Sequence, residues 1–241
     1  MKDSNHSTIK SRVLKPLIAA YFLLAFIEII AEFKKDQFFI SISKPLLMPI
    51  LLGVYFCSSK NLNRTFMVSL VSVWIANIFF ISSAINCIIL GSIFFLIYRL
   101  LIIYTVFKTK RFPGYVPMII GALPFLFVYL FVGNMMYHEL GNQFYLFILQ
   151  GVFMILFGGF CLGSYIIKSN TSNTYLLMST MLFTATQFIL AIKVFYVNFN
   201  ILQPLAMIFF ILGQYLLYQF IILEEKKKKR YLIINKIKPT N

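Results

Sequence analysis

Groups that exchange protons near neutral pH are scarce in this chain. Two histidines, three cysteines and seven acidic residues are spread over 241 positions, against 22 lysines and arginines. His6 sits in the N-terminal arm and His138 in the segment MMYHELG, both outside the long apolar runs. No run contains an aspartate or a histidine, which argues against a His–Asp dyad, a paired-carboxylate site or a metal centre within them. Cys57, Cys87 and Cys161 are odd in number and lack metal-ligand spacing. They read as small packing residues rather than a disulfide framework or zinc site. A Walker loop, a nucleophile elbow and nucleic-acid-binding motifs are also missing, so neither a cofactor nor a nucleic-acid partner is expected. Nor is there a heptad pattern, a low-complexity linker or a clear soluble domain.

What fills the chain instead is apolar. Hydrophobic residues make up 60% of it and aromatics 18%, while charged residues make up 12%, about half the usual share. Apolar stretches of at least the ~18 residues needed to cross a bilayer recur along its length. The predicted fold is therefore all-α, a polytopic membrane bundle forming a single domain over 1–241. Eight spans are expected, at 13–32, 38–57, 65–82, 84–107, 115–133, 143–167, 174–196 and 199–223, followed by a basic tail at 224–241. The turn SSAIN between the third and fourth spans requires a tight helical hairpin. Segment 1–15 leads into a span too long for a signal-peptide core, with no small-residue cleavage site after it, so a cleaved signal is not expected.

The net charge of +15 is confined largely to loops and termini. With both termini in the cytoplasm, that side carries seventeen basic residues and the opposite side two, Lys34 and Lys35. This is a strong positive-inside bias, and with the short loops it suits a bacterial inner membrane. The tail EEKKKKR reads as the same bias continued past the last helix, with contact to anionic lipid headgroups as the second reading.

An ionisable residue inside a membrane span is costly and marks a candidate site. Glu28, Lys44, Arg99 and Lys193 stand within the expected spans. Lys193 is near a span end and can reach the interface. Glu28 and Lys44 fall at similar depth on consecutive antiparallel spans, which suggests an ion pair; Lys44 as part of a cavity floor meeting a phosphate is the alternative. Arg99 lies in GSIFFLIYRLLIIY, past the midplane and with no acid predicted at its depth. Its partners are expected among backbone carbonyls, Tyr98, Tyr104, Gln214, water or an anionic ligand. Asn77, Gln150, Thr186, Gln187 and Gln214 add neutral polar groups suited to bonding between helices. GGFCLGSY places Gly159 and Gly163 at the spacing of a close helix-packing face.

The order of these segments resembles the YhhN family, eight-span membrane proteins of the lysoplasmalogenase type. SKPLLMPILL carries the Lys-Pro and leucine-rich run at Lys44, Pro45, Leu46 and Leu47. SVWIANIFFI is similar to the family's Gly-Asp segment, GSIFFLIYRLLIIY to its Gly, Phe-rich run and His, LFTATQFILAIKVFY to its Ser-Asp helix, and FFILGQYLLYQFII to its closing Tyr-x-x-x-Gln helix. The resemblance covers most of the chain. By this correspondence Asn77 stands for the first Asp, Gln187 for the second, and Tyr98 or Arg99 for the His, while Lys44 and Gln214 are kept and the closing Tyr becomes Phe210.

The resemblance implies a membrane lipid or lysophospholipid as partner and cleavage of its vinyl-ether bond as the reaction. Asn77, Tyr98, Arg99 and Gln187 would occupy the catalytic positions, and Lys44, Arg99 and Gln214 would bind substrate. That reaction needs a proton delivered to the enol-ether carbon and water added to the resulting cation. Asn and Gln cannot exchange protons as a carboxyl does, and Arg is a poor general acid at neutral pH. A non-catalytic lipid-binding or structural protein on the same scaffold is the alternative. A small transporter is the third, although no half-to-half repeat supports it.

Overall fold

The computed structural model describes the backbone of residues 2–82, 84–136, 144–195 and 199–237, and the side chains of 13–82, 84–135, 145, 147–193 and 199–228. His138 with its loop, the side chain of His6 and the tail side chains beyond Lys228 lie outside that set. Eight helices follow in chain order: α1 (Lys2–Lys34), α2 (Gln37–Ser58), α3 (Arg64–Phe79), α4 (Ile85–Thr109), α5 (Tyr115–Met136), α6 (Phe144–Ile167), α7 (Thr171–Phe195) and α8 (Leu202–Ile237). Among the described residues there is no strand.

Seven helices are long and apolar enough to cross a membrane, and α3 is shorter. Its 16 residues measure about 24 Å at 1.5 Å per residue. It still carries the chain across, because the segments preceding α3 and following α4 line one cavity at the same end of the bundle. The third span was expected to reach residue 82, but the helix closes at Phe80, whose N–H donates to Ala76 O at 3.0 Å. Just beyond, Ser82 Oγ accepts from Ala84 N at 3.2 Å, offering the backbone an alternative to another helical turn. Gln37 Nε2 ties this turn to the start of α2 through Ile81 O at 3.3 Å.

The last helix is longer than expected. It does not stop at residue 223 but continues through EEKKKKR to Ile237. Glu and Lys are good helix formers, and Glu224 pairs with Lys227 one turn on at 2.8 Å. Where helices start, short polar side chains act as caps. Asp36 Oδ1 accepts from Phe38 N and Phe39 N at 3.1 and 3.3 Å, and Asn63 Oδ1 does the same for Thr65 N and Phe66 N. Pro45, Pro49 and Pro124 lie within continuous helices. In a bundle, neighbouring helices and hydroxyls can answer the freed carbonyls.

α8 is the axis of the packing. Its apolar stretch is 61% buried, against 17% for α1, α4 and α5. Tyr55, Phe66, Tyr98, Phe160 and Phe220 are fully enclosed around it. The outer faces of α1 and α5 carry Leu23, Phe26, Ile119, Phe127 and Phe131 in exposed positions. An apolar rim around helices whose backbones are internally bonded is what hydrocarbon demands of a spanning structure.

α5 and α6 approach backbone to backbone along the predicted glycine face. A Cβ at Gly159 would lie 2.8 Å from Met118 O, one at Gly163 2.8 Å from Pro117 O, and one at Gly121 2.7 Å from Gly159 O. Those neighbours are main chain and cannot swing away. Gly159→Val is therefore expected to cost about 1–3 kcal/mol, read as a lower thermal unfolding midpoint in detergent. Gly53→Ala serves as the control and should not lower the midpoint, because a Cβ there meets only Leu17 Cδ1 at 4.0 Å and Ala is the better helix former.

Candidate functional site

Three separate polar groupings contain the predicted site residues. The first lies at the α1–α2 end of the bundle. Lys44, on the inner face of α2, is buried, as are Glu28 and Glu32 on α1. Its Nζ sits 2.5 Å from Glu32 Oε1 and 3.9 Å from Glu28 Oε1. Ser43 Oγ donates to Glu28 Oε2. Gln203 Nε2 reaches Glu32 Oε1 at 3.4 Å, and Lys193 Nζ donates to Gln203 Oε1 at 2.8 Å. The cluster thus joins α1, α2, α7 and α8.

The expected Glu28–Lys44 pairing needs correcting in one respect. The closer partner is Glu32, the last residue of the expected first span, so two carboxylates face Lys44. The signal was present in the spacing. Glu28 and Glu32 are four residues apart and therefore share a helix face. Lys193, near the end of α7, bonds to Gln203 at the start of α8.

The second grouping is at the centre of the bundle. Tyr98 on α4 and Gln214 on α8 are almost fully buried, with the Gln214 amide beside the Tyr98 hydroxyl. Neither the hydroxyl nor either amide atom meets a partner of hydrogen-bonding geometry among the described residues, and the same holds for Asn77 Nδ2 on α3. Tyr21 is better satisfied, donating to Ile211 O at 3.0 Å.

Arg99 points elsewhere. It is half-buried and borders a crevice of about 30 Å³ between α4, α6 and α7, shared with Tyr98, Ile103, Phe157, Thr180 and Thr184. Its guanidinium carbon lies 5.1 Å from the centre of the Phe95 ring, within cation–π range. Among the described residues no carboxylate or amide bonds to it, so Gln214 belongs with Tyr98 rather than with Arg99. Tyr104, the other tyrosine expected nearby, faces Lys108 at 5.8 Å.

The third grouping is an amide pair. Gln187 Nε2 donates to Gln150 Oε1 at 3.2 Å, linking α7 to α6. Thr186 turns back on its own helix to Leu182 O at 2.8 Å. The structure therefore brings Tyr98 together with Gln214 and with Arg99. It keeps Lys44 and Gln187 in networks of their own, and Asn77 is buried on α3.

Breaking the first network has a definite expected cost. Removing one member of a buried ion pair strands the other charge and is worth about 3–5 kcal/mol. Lys44→Met should lower the unfolding midpoint sharply, and Lys44→Met combined with Glu28→Gln and Glu32→Gln should recover most of the loss. A triple variant no more stable than the single one would rule out charge pairing as the source.

Residues 39–221 match the sequence model of the YhhN family. No curated protein and no solved structure gives a significant match to the chain.

Proposed function

This chain belongs to the YhhN family, and from that premise we propose that it binds a polar membrane lipid without cleaving a vinyl-ether bond. The observation that carries the reading is the employment of its acids. Each of the five carboxylates among the described residues already has a structural task. Glu28 and Glu32 serve Lys44, and Asp36 caps α2. Glu224 holds Lys110 and Lys227, and Glu225 accepts from Tyr55 and Ser59.

None of these acids is placed at Tyr98, Arg99 or Gln214. The positions that correspond to family acids are amides, and Gln187 is already bonded to Gln150. Vinyl-ether cleavage needs an acid able to protonate carbon, and an Asn, a Gln or a guanidinium does not provide one. The crevice beside Arg99 supports lipid contact instead. Small and apolar, it sets one cation beside walls from Ile102, Ile103 and Phe157, so the contact is made at its mouth.

A hydrolase reading has one observation in its favour. Glu28 and Glu32 form a carboxylate pair a single turn apart, held against Lys44. Both readings place the protein in the membrane as a multi-pass bundle with its lysine-rich end in the cytoplasm.

One assay separates them. Purified protein in detergent is given a lysoplasmalogen, and aldehyde release is measured against a lipid-only blank. Release at the level of the blank is expected. Release above it that disappears in Glu28→Gln or Glu32→Gln would overturn the binding reading and assign the acid–base role to that pair. Release that survives both variants would overturn it as well and locate the chemistry elsewhere. In parallel, Arg99→Ala is expected to reduce the lipid retained through purification severalfold.

A further inference from the structure

At the lysine-rich end the bundle opens into a cavity of about 1420 Å³. The segment between α2 and α3, the starts of α3 and α7, the ends of α4 and α6 and residues 221–228 of α8 form its walls. Seven lysines and arginines line it against two carboxylates.

Both carboxylates are already engaged, and only Glu224 by cations. Glu224 Oε1 accepts from Lys110 Nζ at 3.0 Å, from Lys227 Nζ at 2.8 Å and from Ser172 Oγ at 2.5 Å. Lys110 also donates to Asn173 Oδ1 at 2.5 Å, and Asn173 Nδ2 caps the end of α6 through Ser164 O and Lys168 O. Glu225 accepts from Tyr55 and Ser59 at 2.5 and 2.6 Å. What is left over is positive. Arg64, Lys108, Arg111, Lys168 and Lys228 line the cavity, are exposed, and form no ion pair among the described residues.

The wall contains one further unspent group. Ser164 is 7% exposed, its Oγ has no hydrogen-bond partner, and it borders this cavity. Asn63 and Asn170, which precede α3 and α7, also line it, so two helix starts bring partial positive charge to the same space. An orphaned hydroxyl within a ring of uncompensated cations is the donor set that a phosphate requires.

We infer that this cavity is a phosphate-binding site, with Arg111, Lys168 and the neighbouring rim cations around the anion and the Ser164 hydroxyl donating to it. The source with the better geometry is a lipid headgroup. α4 and α6 wall both this cavity and the Arg99 crevice. Along α4, Arg99 and Lys110 share one helix face and are about 16 Å apart at 1.5 Å per residue, so one anionic lipid can lie along the face that joins the two openings. That choice of source rests on the lipid-binding reading above, whereas the phosphate chemistry does not.

The test is calorimetric titration of the detergent-purified full-length chain with phosphatidic acid in mixed micelles, with phosphatidylcholine and inorganic phosphate in separate arms. Phosphatidic acid should bind and phosphatidylcholine should bind at least about tenfold more weakly, as expected when several surface cations each favour the anion. Arg111→Gln with Lys168→Gln should weaken phosphatidic acid about tenfold or more, and Ser164→Ala should weaken it severalfold. The rim cations are exposed, so these variants leave the packed bundle intact, and an unchanged unfolding midpoint verifies this. Inorganic phosphate that binds and competes would show that the site takes the free anion as well. Phosphatidic acid binding without such competition would make the lipid the source. Equal binding of the two lipids, no binding in any arm, or affinities unmoved by all three substitutions would overturn the inference. Aldehyde release plays no part in this readout, so a failed phosphate site and a failed non-hydrolytic reading remain distinguishable.

Discussion

A charge placed between apolar helices has to be answered from within the protein, because hydrocarbon offers no water to do it. The buried Lys44 ammonium is this chain's clearest case. It lies against Glu32 and near Glu28, and Ser43 and Gln203 bond to the carboxylates in turn. Four helices contribute to that answer, so the charge at one position aligns α1 and α2 with each other and with the start of α8. An ion pair of this kind is weak evidence for stability against an apolar replacement, and its consequence is for register, since a slip would leave a charge unpaired.

The same constraint works differently at each level of the membrane. At the Lys44 end, opposite charges meet and cancel. In the middle, polarity is reduced to neutral groups, the tyrosine, amides and threonines around Tyr98 and Gln214, with Arg99 resting on an aromatic ring. At the opposite end the positive charges outnumber what Glu224 and Glu225 can compensate. The bundle thus runs from a self-neutralised end to an electropositive one, and its unspent recognition capacity lies at the latter.

Packing between the helices follows from residue size. Where α5 meets α6, Gly121, Gly159 and Gly163 allow main chain to touch main chain. Around α8, large rings fill the space instead, with Tyr98 edge-on to Phe183 at 6.2 Å and Phe183 6.3 Å from Phe210. Small residues hold one helix pair by close approach, and aromatics hold the centre by volume. Closeness is achieved in both cases without a hydrophobic drive between helices, which lipid does not supply.

The all-helical membrane fold, the helix count and the glycine packing face on α6 could all be read from the sequence, because they depend on run length, hydropathy and local spacing. The family resemblance was legible for the same reason: short motifs in a fixed order survive in the linear text. Helix ends were less so, since Phe80 and the EEKKKKR segment are decided by capping and by a local Glu–Lys pair rather than by hydropathy. The partners of Lys44, Arg99, Gln187 and Gln214 were decided only in three dimensions. Depth along a span is a linear quantity, but which neighbour a side chain faces depends on each helix's rotation about its axis. That rotation is set by packing against several helices at once. For this reason Glu32 proved the nearer partner of Lys44, Gln214 turned to Tyr98, and the cations scattered over four segments of sequence gathered around one cavity.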